Sequence, residues 1–177
     1  GNGSNSGHVR LFTKISDPVL GTYSWTQIGQ DIDGEAAGDE SGCSVSLSDD
    51  GNTVAIGSRY NDGNGSNSGH VRLFTKISDP LLGTYTWTQI GQDIDGEAAG
   101  DKSGFSVSLS NNGNIVAIGA INNDGNGSDA GHIRIYKNIG GFWTQIGQDI
   151  DGEAAYDFCG HSVSLSSNGN IVAIGAQ

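Results

Sequence analysis

A block that opens Gly1-Asn2-Gly3-Ser4 returns at Gly63-Asn64-Gly65-Ser66 and again at Gly125-Asn126-Gly127-Ser128, so the chain is three copies of one 62-residue repeat. A period of this size restricts the fold to architectures in which one supersecondary unit stacks on its own copies. The repeats run over residues 1–62, 63–124 and 125–177, with the strands out of phase with those limits. Trp25 returns as Trp87 and then, six residues early, as Trp143, because Asn138-Ile139-Gly140-Gly141 replaces a longer Ser-Asp-Pro connection. An element that tolerates such shortening belongs to a surface loop.

Each period holds four candidate strands, separated by turn residues: Ser44 to Ser48, Thr53 to Gly57, His70 to Lys76, and Tyr85 to Ile90 with a tail to Ile94. No helical periodicity occurs anywhere. Asp49-Asp50-Gly51-Asn52, Asn111-Asn112-Gly113-Asn114 and Ser167-Asn168-Gly169-Asn170 read as tight hairpins in which Asp/Asn-Gly supplies positive φ angles. In Ser44-Val45-Ser46-Leu47-Ser48 large apolar groups face one way and serines the other, while Val54-Ala55-Ile56-Gly57 pairs large with small residues. Such a strand is covered on both faces and closely approached on one. That is what face-to-face stacking of sheets requires. The expected fold is therefore all-β: a β-propeller of four-stranded antiparallel blades, three repeats of which are present as part of a larger ring.

Charge limits the partners. Eight Lys plus Arg stand against twenty Asp plus Glu, a net charge of −12. Nucleic-acid affinity comes mainly from basic side chains neutralising phosphates, so no nucleic acid is expected, and anionic membranes are equally poor partners. No stretch approaches the apolar length that spans a bilayer, so no membrane insertion is expected. Cys43 and Cys159 occupy different repeat positions, matched by His161 and Ser41 in other copies, which excludes a repeating disulfide framework.

With the strands placed, the repeat resembles the FG-GAP type of propeller blade, known from integrin α-subunits and from secreted bacterial and algal proteins. The resemblance spans the chain and rests on Asp39-Glu40-Ser41-Gly42-Cys43-Ser44-Val45-Ser46-Leu47-Ser48, Asp50-Gly51-Asn52-Thr53-Val54-Ala55-Ile56-Gly57, Gly69-His70-Val71-Arg72-Leu73-Phe74 and a Trp-Thr-Gln-Ile strand. It departs from the family in two places. The Phe-Gly pair is Ser41-Gly42, Ser103-Gly104 and Cys159-Gly160, and the Gly-Ala-Pro triplet is Gly57-Ser58-Arg59, Gly119-Ala120-Ile121 and Gly175-Ala176-Gln177. The integrin-type calcium loop would lie between the first and second strands, where this chain has only the turn at Asp49 to Asn52.

Two acidic or amide-rich loops could hold Ca²⁺. Asp31, Asp33, Glu35 and Asp39 recur as Asp93, Asp95, Glu97 and Asp101 and as Asp149, Asp151, Glu153 and Asp157. Four carboxylates within nine residues offer the hard oxygens that Ca²⁺ prefers, but the spacing does not fit a standard calcium loop. The favoured reading is that they accept backbone N–H groups where the chain crosses between blades. The second loop, with Asp62 and Asn64 or Asp124 and Asn126, has oxygens at alternate positions and lacks a terminal bidentate carboxylate. No metal or other cofactor is favoured, with Ca²⁺ as the minority reading. Asn2, Asn64 and Asn126 each head an Asn-Gly-Ser sequon open to N-glycosylation. His8, His70 and His132 open the third strand of successive copies, too far apart to share one metal, and a structural hydrogen-bonding role suits them better. Trp25, Trp87 and Trp143 read as blade-packing residues.

No nucleophile stands beside a base, no phosphate loop precedes a helix, and no thiolates have zinc spacing. An enzyme is not expected. The expected function is a non-catalytic structural or protein-interaction module, extracellular or at the cell surface, whose partners are proteins or further copies and blades of the same repeat. The alternative is a Ca²⁺-assisted adhesin or glycan-binding propeller. In order, the strands run third-fourth, two full sets of four, then first-second; propellers usually close with four to eight blades. Further blades, or association of copies, are therefore expected to cover the open edges.

Overall fold

The structure, a computed structural model, describes residues 2–177; Gly1, the start of the first repeat, lies outside the described residues. All of its regular structure is β. A first group comprises β1 (His8–Val9), β2 (Phe12–Asp17), β3 (Thr22–Gln27) and β4 (Ile32–Asp33). The second blade comprises β5 (Ser44–Leu47), β6 (Thr53–Ser58), β7 (His70–Asp79), β8 (Thr84–Gln89) and β9 (Ile94–Asp95). The third comprises β10 (Ser103–Leu109), β11 (Ile115–Ala120), β12 (His132–Ile139), β13 (Phe142–Gln145) and β14 (Ile150–Asp151), and β15 (Ser162–Leu165) and β16 (Val172–Gly175) follow.

Both complete blades are antiparallel meanders of four strands, in the orders β5-β6-β7-β8 and β10-β11-β12-β13. This is the four-stranded blade read from the repeat, with third and fourth strands ahead of it and first and second behind. The fourth strand differs in one respect from its expected run to Ile94. It breaks after Gln89, and the short β9 pairs instead with the start of β7, Val71 opposite Ile94 and His70 opposite Asp95. The interruption carries Gly91 at φ +70°, against which the indole of Trp143 in the next blade packs.

The hairpin between first and second strands also differs in detail. Of the Asp50-Gly51 pair only Gly51 takes a positive φ, 64°, and its N–H donates to Ser48 O at 2.9 Å. The Asp50 carboxylate closes the turn by accepting the Ser48 hydroxyl at 2.7 Å and the Asn52 N–H at 3.0 Å. A side-chain cap thus replaces the second left-handed residue of a two-residue turn.

The apolar residues are shared between blades. Successive side chains of a strand point to opposite faces. Val54 and Ile56 of β6 and Phe74 of β7 therefore join Leu11 and Ile32 of the first group, with Trp87. Ala55, Val71 and Leu73, from the other face of the same strands, pack with Val107, Leu109, Val116, Ile118 and Trp143. The innermost approach needs glycine. A Cβ on Gly57 would strike the backbone oxygen of Gly104, and one on Gly119 that of Gly160. These glycines stand in the Gly-Ala-Pro and Phe-Gly positions of the repeat, so the two signature sites meet each other across successive blades.

Candidate functional site

The third strand of each blade begins His-x-Arg, and alternation sends both side chains, with the following Phe74 in β7, toward the preceding blade. Arg72 reaches back 39 residues to donate to Asp33 O at 2.8 Å, and its Nη1 lies 3.3 Å from Glu35 Oε1. His70 Nδ1 lies 4.0 Å from Glu35 and 3.9 Å from Asp93 of its own blade. One junction on, Arg134 forks onto Asp149 at 2.9 and 2.7 Å and pairs with Glu97, while His132 Nδ1 lies 3.8 Å from Asp149. Each cluster is thus a carboxylate from one blade set against a histidine, an arginine and a carboxylate from the next.

Their electrostatics follow from depth. His70 is buried, and desolvation, helped by the Arg72 charge, pushes its pKa down to about 4. Burial and Arg134 lower His132 likewise. Both imidazoles are neutral at pH 7. The hydrogen bonds from Arg134 hold Asp149 below the usual carboxylate range, while burial and the neighbouring Asp93 raise Asp95. The histidines were expected to serve by hydrogen bonding, yet His70 Nε2 and His132 Nδ1 are buried with no hydrogen-bond partner among the described residues. At 3.8 to 4.0 Å from the carboxylates, the neutral rings pack beside them.

The four carboxylates of each acidic stretch do not converge. Asp31, Asp93 and Asp149 accept from the amides of Gln27, Gln89 and Gln145 at 2.6, 2.5 and 2.6 Å. Asp33, Asp95 and Asp151 lie in the short strands that pair with the starts of third strands, opposite His8, His70 and His132. Glu35 and Glu97 turn to the next blade's arginine, while the Glu153 backbone oxygen lies 3.4 Å from the Asn126 amide. Asp39 and Asp101 are buried, accepting Ala36 N–H and Asn61 Nδ2 or Ala98 N–H and Asn123 Nδ2 at 3.0 to 3.1 Å. Asp157 accepts Ala154 N–H at 2.8 Å.

The amide-rich loops also close on themselves. Asp62 accepts Asn67 N–H at 2.7 Å, and Asp124 accepts Asp129 N–H at 2.8 Å. The sequon amides are engaged: Asn2 donates to Gly34 O, Asn64 to Gly96 O and Asn126 to Gly152 O, at 2.8, 2.8 and 2.7 Å. A glycan on Asn64 or Asn126 would take one of the two hydrogens with which each amide bonds a pair of backbone oxygens. At the place of the integrin-type calcium loop, Asp50 accepts from Ser48 and from the Asn52 N–H and side-chain amide, so the turn offers no cage of free oxygens. The nearest sets of convergent donors are Glu35, His70 and Asp93, and Glu97, His132 and Asp149, whose ligating atoms lie within 4.8 Å of one another. In both, the arginine already supplies positive charge. Cys43 and Cys159 are both free thiols.

Arg72 and Arg134 are the residues that sequence reasoning missed. Their signal was present, an arginine two residues after each repeated histidine, at Arg10, Arg72 and Arg134.

Comparisons with known proteins agree with this architecture. No curated protein sequence matches the chain. Among solved structures it is similar to a candidate 6-phosphogluconolactonase from Bacteroides fragilis, with a TM-score of 0.52 and 19% identity over 84% of this chain. The chain spans about a third of that structure, 34% of its length, and at this identity the likeness concerns the fold alone. The family model for the FG-GAP repeat matches residues 32–74 and 94–136, each match running from the short strand before a junction into the first half of the His-x-Arg strand after it. The chain is an FG-GAP-type repeat protein.

Proposed function

We propose that this chain is a non-catalytic protein-interaction module working outside the cell or at its surface. FG-GAP repeats suggest protein interaction. The observation that carries the reading is recurrence. Glu35–His70–Arg72–Asp93 returns as Glu97–His132–Arg134–Asp149, and in both the charges are paired across a junction. Such clusters hold blades together, and successive blades then offer a repeated surface to a partner. A catalytic site on such a scaffold would need different residues from different blades converging on one substrate.

A second reading, a Ca²⁺-assisted adhesin or glycan-binding propeller, draws on the two sets of convergent donors. Arg72 and Arg134 compete with a cation there, which places it second. The immobilised chain, exposed to recombinant extracellular proteins and to a glycan array, each with calcium and with EDTA, separates the two. Saturable, calcium-independent binding of a protein supports the first reading; binding of glycans only with calcium supports the second. Turnover of ester, glycoside or phosphate substrates would overturn both.

A further inference from the structure

The places where the repeat fails to repeat gather at one end of the first two strands. Between the first two copies the hairpin from Lys14 to Tyr23 changes only at Val19 against Leu81, and the β5–β6 turn exchanges Asp49 and Asp50 for Asn111 and Asn112. Thr53 against Ile115, Ser24 against Thr86 and Ser58 against Ala120 keep shape or size. Wholesale changes of side chain set Glu40 against Lys102, Cys43 against Phe105, Arg59 against Ile121 and Tyr60 against Asn122. The third copy changes the same stretch again, with Tyr156, Phe158 and His161 where the first has Gly38, Glu40 and Cys43. All of these lie just before the first strand or just after the second, and in the antiparallel pair Ser44 stands opposite Gly57.

Residues of three copies meet there. The Arg59 guanidinium lies over the ring of Tyr60, 4.9 Å from its centre, and 5.5 Å from the centre of Phe105 in the next blade. Lys102 Nζ lies 5.8 Å from the same tyrosine ring, and Phe105 stands 5.1 Å from His161 of the copy after. Glu40 accepts from Arg59 Nε and Nη2 at 3.1 and 2.7 Å, whereas Lys102 makes no ion pair among the described residues. The neighbouring Asp39 and Asp101 are buried on Asn61 and Asn123. The outward charge left over is therefore positive, in a chain of net charge −12. Beside Arg59 a hollow of about 490 Å³, lined by Asn5, Gly7, Glu40, Cys43 and Arg59, leaves room for a further side chain.

The backbone marks the same place. Glu40, Lys102 and Phe158 have φ of 52°, 56° and 49°, a left-handed conformation that glycine adopts freely and large side chains resist. Glycine would suit the turn better, yet every copy keeps a large side chain there and changes its kind. Demands of the fold repeat with the scaffold, because each junction is built alike. Demands set by an irregular partner do not.

Resting on the protein-interaction reading above, we propose that this cluster docks a short, extended, acidic segment of a partner protein. Its carboxylates meet Lys102 and Arg59 Nη1, which Glu40 does not use, and an apolar side chain lies against Phe105. The row crosses successive blades from Arg59 and Tyr60 through Lys102 and Phe105 to His161. That suits a linear chain whose alternate side chains point one way. A sugar would stack on a bare ring, and Arg59 already lies over both Tyr60 and Phe105. A long polyanion would be repelled by the rest of the acidic surface, whereas a single carboxylate at physiological salt feels charges within about 8 Å.

The test is selection of displayed random peptides on the immobilised 177-residue chain, then affinity measurement with the enriched peptides and their amide counterparts. The variants exchange residues between copies, Arg59→Ile and Lys102→Glu. Each new side chain already stands at that position of an adjacent copy, so the melting temperature should stay near the parent's. Asp50→Asn, beyond the other end of β6, is the control. Enriched peptides are expected to carry carboxylates, to bind parent and control alike, to weaken with salt and on amide replacement, and to lose about tenfold or more in affinity on each exchange. No enrichment, enrichment without acidic residues, or affinity unchanged by the exchanges overturns the proposal. So does an exchange that abolishes self-association or sulfated-oligosaccharide binding in place of peptide binding. Extracellular proteins that bind the exchanged variants as tightly as the parent overturn this site and leave the interaction reading standing; absence of all protein and peptide binding removes both.

Discussion

Trp87 shows how much one residue depends on its neighbour across a junction. Its ring is 4% exposed, its Nε1–H donates to Ile28 O at 2.9 Å, and the Gln30 side chain bonds its backbone on both sides. Trp87→Ala is expected to cost about 3–5 kcal/mol in urea unfolding. Trp25, with the same flanking sequence pattern but 66% exposed, is expected to cost under ~1 kcal/mol when truncated in the 177-residue chain. Equal losses at both positions would contradict the junction as described. His70 gives a pH signature. Its folded pKa, about 4, lies below the ordinary 6.5, so the unfolded chain binds the proton more tightly. The stability that the neutral imidazole contributes is whole above pH 6.5 and is lost as pH falls toward 4, by up to about 3 kcal/mol. Between those pH values His70→Gln should flatten the decline in melting temperature relative to the parent, whose Asp39, Asp93 and Arg72 still surround the site; an unchanged slope would show that the imidazole is not the titrating group.

At the scale of the element, the third strand does the joining. β7 presents Arg72 and Phe74 to one neighbour and Val71 and Leu73 to the other, so one strand serves two cores. Arg72→Ala removes a buried guanidinium that binds Asp33 O and Glu35, and is expected to cost about 2 kcal/mol in chemical denaturation. Arg72→Lys should recover only part of this, since an ammonium cannot span both acceptors as a planar fork does. The same arginines bear on metal dependence. With positive charge built into each cluster, chelation by EDTA is expected to leave the melting temperature nearly unchanged. Added calcium that raises it in a concentration-dependent way would instead mark an ion bound to the native state.

Across the whole molecule, each blade touches only its neighbours, and stability should follow the number of neighbours. Val107 and Leu109, packed against the second blade, are 9% and 7% exposed, while their repeat equivalents Val45 and Leu47 are both 54% exposed. Native-state hydrogen exchange of the 177-residue chain should therefore protect β6, β7, β11 and β12 most, with β2–β3 and β15–β16 opening first. Uniform protection along the repeats would show that the junctions contribute little.

The blade itself was legible in the sequence, because alternation and turn chemistry are local and recur every 62 residues. Ser44-Val45-Ser46-Leu47 reads as a strand whatever lies beside it, and Gly57 signals close approach without saying what approaches. Tertiary structure alone decided which copies of an identical residue are buried, since Trp25 and Trp87 share their local sequence but for Ser24 against Thr86 and differ in having a blade behind them. It alone decided that Glu35 leaves its own acidic stretch for Arg72 and His70 of the next repeat. Local pattern sets which face a side chain takes; what that face meets depends on how far one blade is turned against the next, a long-range packing angle that no stretch within one repeat encodes.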